Sequence, residues 1–72
     1  MDQLTVAEKI RIILRRRGMT LGDLADAMGQ SRQNLSNKMS RNNFYEADVR
    51  AAADALGCSV DIKFIMPDGT EV

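Results

Sequence analysis

Between positions 31 and 39 the chain places Arg32, Gln33, Asn34, Ser36, Asn37 and Lys38 around two apolar residues, Leu35 and Met39. Guanidinium and amide groups carry hydrogen-bond donors and acceptors in planar arrays, so their chemistry is recognition. Bond-making chemistry is poorly supplied. Histidine is absent, which removes histidine acid–base catalysis, Ser-His-Asp triads and histidine-containing metal sites. The lone Cys58 makes neither an intramolecular disulfide nor a thiolate zinc site, fits a reducing compartment, and reads as a small buried hydrophobe rather than a redox sensor. None of the five glycines is spaced as a phosphate-cradling loop requires. The expectation is a non-enzyme with no cofactor. Against the recognition reading stands a plain alternative, a solvated polar helix face.

Those side chains need a helix to hold them, and the flanking pattern predicts four. Thr5 with Glu8 has capping-box spacing, and Val6, Ile10, Ile13 and Leu14 then form one apolar stripe ending at Gly18. Arg15, Arg16 and Arg17 crowd the last turn, where they suit either the helix dipole or phosphate contact. Thr20 with Asp23 opens a second helix, with Leu21, Leu24, Ala25 and Met28 inward and Gly29 at its end. Ser31 caps a third, reaching Met39, whose buried positions are Leu35 and Met39. Asn43 with Glu46 predicts the start of a fourth, carrying Val49, Ala52, Ala53 and Leu56 to Gly57.

After Gly57 the apolar period changes to two. Cys58, Val60, Ile62, Phe64 and Met66 alternate with Ser59, Asp61, Lys63 and Ile65, which predicts a half-buried strand. Pro67, Asp68 and Gly69 fit a three-residue hairpin loop that would pair Met66 with Thr70, Ile65 with Glu71 and Phe64 with Val72.

Seventy-two residues allow one small core, in which help from a partner chain is expected. The 28% charged residues sum to zero. Their distribution is polarised: residues 1–43 hold eight basic and four acidic groups, residues 44–72 two basic and six acidic. Such a dipolar chain can turn its basic half toward a polyanion despite a pI of 6.1. No apolar run approaches the roughly 20 residues of a membrane helix, and no signal peptide is visible, so the expected location is cytoplasmic.

With Leu21 in first place, Ala25 falls fifth, Gly29 ninth and Leu35 fifteenth, the spacing of a DNA-binding helix-turn-helix. A small Ala25 lets the second helix cross closely, Gly29 makes the turn, and Leu35 fills the angle between helices. Residues 19–25, 29–36 and 53–57 resemble the Cro and phage-repressor type (XRE-type) helix-turn-helix family, and the likeness extends from about Val6 to Val60. The fold it implies is mainly α, a four-helix lambda-repressor-like domain with a C-terminal β-strand or short β-hairpin. Residues 1–57 would form the helix-turn-helix domain, and residues 58–72 its dimerisation element.

By position, the resemblance implies that Arg32, Gln33 and Asn37 contact bases of double-stranded DNA. Arg can pair with guanine O6 and N7, and Gln or Asn with adenine N6 and N7. Thr20, Asn34, Ser36, Lys38, Arg41, Asn42 and Asn43 fall nearer the sugar-phosphate backbone, the last three in a loop after the third helix. Three positions depart from the family pattern: Leu21 where glutamine is common, Lys38 where an apolar residue is usual, and the strand-like end where many relatives continue as helix.

An exposed strand edge needs a partner. Antiparallel pairing of two copies centred on Ile62 sets Asp61 against Lys63 of the second copy, with Val60, Asp61, Ile62, Lys63 and Phe64 forming a homodimer interface. Ile12, off the stripe of the first helix, would pack beneath such a sheet or stand alone on the surface. The expected protein is a small transcriptional repressor on a near-palindromic operator, with no evident small-molecule ligand. An antitoxin-like protein-interaction module, with DNA binding secondary or lost, is the competing expectation.

Overall fold

Two threonine capping boxes set the first half of the chain, which a computed structural model describes over residues 4–72. Residues 1–3, part of the expected domain, lie outside the described residues. Thr5 Oγ1 accepts from the Glu8 amide at 3.1 Å, and the Glu8 carboxylate accepts from the Thr5 amide at 2.8 Å, opening α1 (Val6–Arg17). Gly18, with φ 64°, closes it as a left-handed cap, and the Met19 amide returns to the Leu14 carbonyl. The reciprocal Thr20–Asp23 bonds open α2 (Leu21–Ala27). Ser31 Oγ accepts from the Asn34 amide at 3.0 Å to open α3 (Arg32–Arg41).

Two boundaries differ from the sequence expectation. Helix α3 runs on to Arg41 and ends on Asn42, whose φ of 49° is the left-handed conformation asparagine tolerates better than most residues. Arg41 is therefore helical and not part of a loop. Helix α4 (Glu46–Ala55) starts after Tyr45, with Asp48 and not Glu46 accepting the amide of the cap residue, at 2.9 Å. Asn43 has no capping role because its own amide is bonded to the Lys38 carbonyl, completing the end of α3.

Ala7, Ile10 and Leu14 of α1, Leu24 and Ala25 of α2, Leu35 and Met39 of α3, and Ala52 and Leu56 with α4 make one buried cluster. Leu24, Ala25 and Leu35 are fully shielded from solvent. The small Ala25 and the plugging Leu35 thus occupy the contact between α2 and α3, and Gly29, at φ 73°, turns the chain between them. Phe44 is half-buried against the same cluster, while Tyr45 and Phe64 are exposed. The core is accordingly aliphatic.

The C-terminal strand expected over residues 58–66 does not form. Among the described residues there is one isolated antiparallel bridge, Ile65 with Glu71, flanked by Phe64–Val72 backbone bonds at 2.7 and 2.9 Å and by a Met66–Thr70 bond at 2.7 Å. The turn register is the one the sequence predicts, with Gly69 at φ 93°. Among the described residues, none offers 58–63 the cross-strand backbone bonds of a ladder, and a strand exists only through such bonds. Every residue from 61 to 72 is exposed. The radius of gyration, 13.3 Å, exceeds the roughly 11 Å of a compact chain of this length, consistent with a terminal segment standing off the helices.

Candidate nucleic-acid interface

Burial of Leu35 and Met39, four residues apart, fixes the rotation of α3 about its axis. Arg32, Gln33, Asn34 and Asn37 are then exposed, and Ser36 and Lys38 are half-buried. Met39 takes the inward position next to Lys38, so the lysine has no place in the core. No buried polar or charged residue occurs among the described residues, which leaves the polar groups of α3 on the surface.

The amides of this face hold one another. Gln33 Nε2 donates to Asn37 Oδ1 at 3.3 Å, one helical turn on. Asn34 Nδ2 donates to Gln30 Oε1 at 2.7 Å, and Gln30 Nε2 reaches Met28 Sδ at 3.9 Å. Such bonds limit side-chain freedom before any partner arrives, lowering the ordering cost of an intermolecular contact. Arg32 Cδ lies 3.6 Å from where a Cβ would stand on Gly22, so its stem lies along the first turn of α2.

Five candidate residues, Asn34, Asn37, Lys38, Arg41 and Asn43, line one polar cleft of about 250 Å³ on α3 and its exit. Thr20 and Asn42 lie outside it. Thr20 is engaged in capping α2, and Asn42 Oδ1 accepts from the Ala7 amide at 3.2 Å, tying α3 to the start of α1. Lys38 Nζ stands 2.9 Å from Asp48 Oδ1. The bond from Lys38, then that from the Tyr45 amide, holds the Asp48 carboxyl below its ordinary pKa. Asp48 was not legible as a site residue, because tyrosine is not a usual N-cap and nothing local announces a box at Tyr45.

A recognition helix carried on a shielded Leu35 across a glycine turn from α2 is the geometry of a DNA-reading helix-turn-helix. Comparison with family profiles matches residues 9–61 to the Cro/C1-type HTH DNA-binding domain. The chain belongs to that family. Comparison with curated proteins and with solved structures returns no match. Membership of the Cro/C1-type family implies DNA binding for this chain.

The residues expected at the dimer seam are not assembled into one. Val60 is half-buried, while Asp61, Ile62, Lys63 and Phe64 are exposed. Lys63 is engaged within its own chain, 3.2 Å from Glu71 and 3.9 Å from Asp61. Val60 to Lys63 also edge an apolar groove of about 460 Å³ between α1 and α4, floored by Ile10, Ile13, Ala52 and Leu56. Ile12 is half-buried. Of the arginine run, Arg17 places its guanidinium 3.6 Å from the Cβ position of Gly57, at the end of α4 where the dipole is negative. No helix among the described residues is long and apolar enough to cross a membrane.

Proposed function

We propose that this Cro/C1-type domain is a transcriptional repressor that acts by occupying an operator. The supporting observation is the surface of α3: Arg32, Gln33 and Asn37 are exposed while Leu35 and Met39 are buried and anchor the helix to the core. In this reading Arg32, Gln33 and Asn37 contact base edges in the major groove. Thr20, Asn34, Ser36, Arg41, Asn42 and Asn43 contact sugar and phosphate. Lys38 belongs with the backbone contacts by position, subject to its bond with Asp48.

Two copies bind a near-palindromic site, their recognition helices about 34 Å apart. Residues 60–64 pair across a twofold axis at Ile62, supplying each with the missing neighbouring backbone. In that register Asp61 faces Lys63 of the second copy, an opposite-charge cross-strand pair contributing roughly 0.2–1 kcal/mol.

Selection of bound oligonucleotides from a random pool, with sedimentation of the recovered complex, tests site, spacing and stoichiometry together. A recovered two-half-site sequence carrying two chains is the expected result. A protein-interaction module of antitoxin type is the second reading, favoured by the exposed Phe64, Ile65 and Val72 and by the apolar groove. Recovery of no sequence above background, with duplex binding insensitive to salt, would select that reading.

A further inference from the structure

The chain contains several ion pairs, but they are not equivalent. Arg50–Glu46 lies along one turn of α4 with both side chains more than half exposed, and the bridges of Lys63 lie on the exposed C-terminal segment. Pairs of that kind are screened and contribute little. Lys38–Asp48 differs: the side chains are 24% and 17% exposed, and the pair joins α3 to α4.

Asp48 is also not free to move away. Its Oδ2 accepts from the Tyr45 amide at 2.9 Å while Oδ1 accepts from Lys38, so withdrawing the carboxylate would leave the first turn of α4 without that bond. Lys38 meanwhile shares its cleft with Arg41, for which no acidic partner occurs among the described residues. Of the two cations lining the cleft, Lys38 is held by a carboxylate that the helix cap keeps in place.

We propose that Asp48 is a positioning residue that withholds Lys38 from the nucleic-acid backbone, setting the general affinity of the domain for duplex below what α3 could deliver. The inference rests on the DNA-binding reading and adds to it a residue of α4 that touches no base. By removing a sequence-independent contact, Asp48 leaves recognition to depend more heavily on the base-reading side chains.

Asp48→Asn tests this with little structural disturbance, since an asparagine oxygen can still accept from the Tyr45 amide. Titration of a random-sequence duplex at several salt concentrations should show tighter binding than wild type. The log–log salt slope should steepen by about 0.9, equivalent to a roughly 3.5-fold larger loss of affinity between 50 and 200 mM salt. Lys38→Met/Asp48→Asn should lose the gain. Helical circular dichroism of each variant verifies folding. A wild-type slope in folded Asp48→Asn, or a gain that survives in the double variant and so reflects only the lost negative charge, would overturn the proposal. Absence of duplex binding by every folded variant would instead remove the DNA-binding reading, and this inference with it.

Discussion

The Ala7 amide donates to Asn42 Oδ1 at 3.2 Å, joining the first turn of α1 to the residue that ends α3, 35 positions along the chain. One side chain thus satisfies an otherwise unpaired donor at a helix start while its backbone, at φ 49°, terminates α3. Asn42→Ala should lose both the bond and the left-handed tolerance and cost about 1–2 kcal/mol. Asn42→Gly keeps the backbone freedom and should cost less. For a domain of this size 1 kcal/mol lowers Tm by roughly 4–8 °C, so thermal melts resolve the order. Equal melts for the two variants would contradict it.

Leu35 is fully buried between α2, α3 and the rest of the core. Leu35→Ala should destabilise by about 2–5 kcal/mol, measured by urea unfolding. Total stability for 72 residues is on the order of 4–11 kcal/mol, so this one cavity can remove about half of it. A loss below 1 kcal/mol would mean that the α2–α3 angle does not depend on this side chain.

Base contact and backbone contact leave different traces. Arg32→Ala and Gln33→Ala should each reduce discrimination between the selected site and a mismatched one by roughly 1–3 kcal/mol, with the melting curve unchanged because both side chains are exposed. Arg41→Ala should weaken all sequences alike and reduce the salt slope by about one unit. Preserved preference in the Arg32/Gln33 double variant would place base reading elsewhere.

The proposed dimer depends on residues 60–64 meeting a second copy. Ile62→Asp places a charge at the centre of that seam and should give monomers by sedimentation with helical content retained. Operator affinity should fall by about 100-fold or more, the scale of gain that linking two binding modules supplies. A dimer that withstands the substitution would exclude the register centred on Ile62.

Acid should destabilise the protein through three carboxylates. Glu8 is held below its ordinary pKa by the Thr5 amide and hydroxyl, Asp48 by Lys38 and the Tyr45 amide, and Asp68 by the Thr70 amide and hydroxyl. Each takes up a proton less readily folded than unfolded. Their stabilisation is therefore complete above the unfolded carboxylate values, about 3.9–4.3, and is lost as pH falls through the lower folded values. Tm should decline below about pH 4, and Asp48→Asn should have a shallower acid limb than wild type. Identical acid limbs would show that Asp48 titrates without a folded-state partner.

Thr5, Thr20 and Ser31 could be read from the chain as helix starts because each cap closes hydrogen bonds with a residue three positions away. The Leu21, Ala25, Gly29, Leu35 spacing was legible for the same reason: helical periodicity and a left-handed glycine are local properties. From these, the position of α3 and the exposure of Arg32, Gln33 and Asn37 on it followed. The alternation after Gly57 was equally visible, yet a strand is a relation between two backbones, and period two alone supplies only one of them. Tertiary structure also decided where Lys38 sends its charge and which group satisfies the Ala7 amide. Those outcomes depend on groups 10 and 35 residues apart meeting at a distance near 3 Å, and the packing of the helices around one core brings them there.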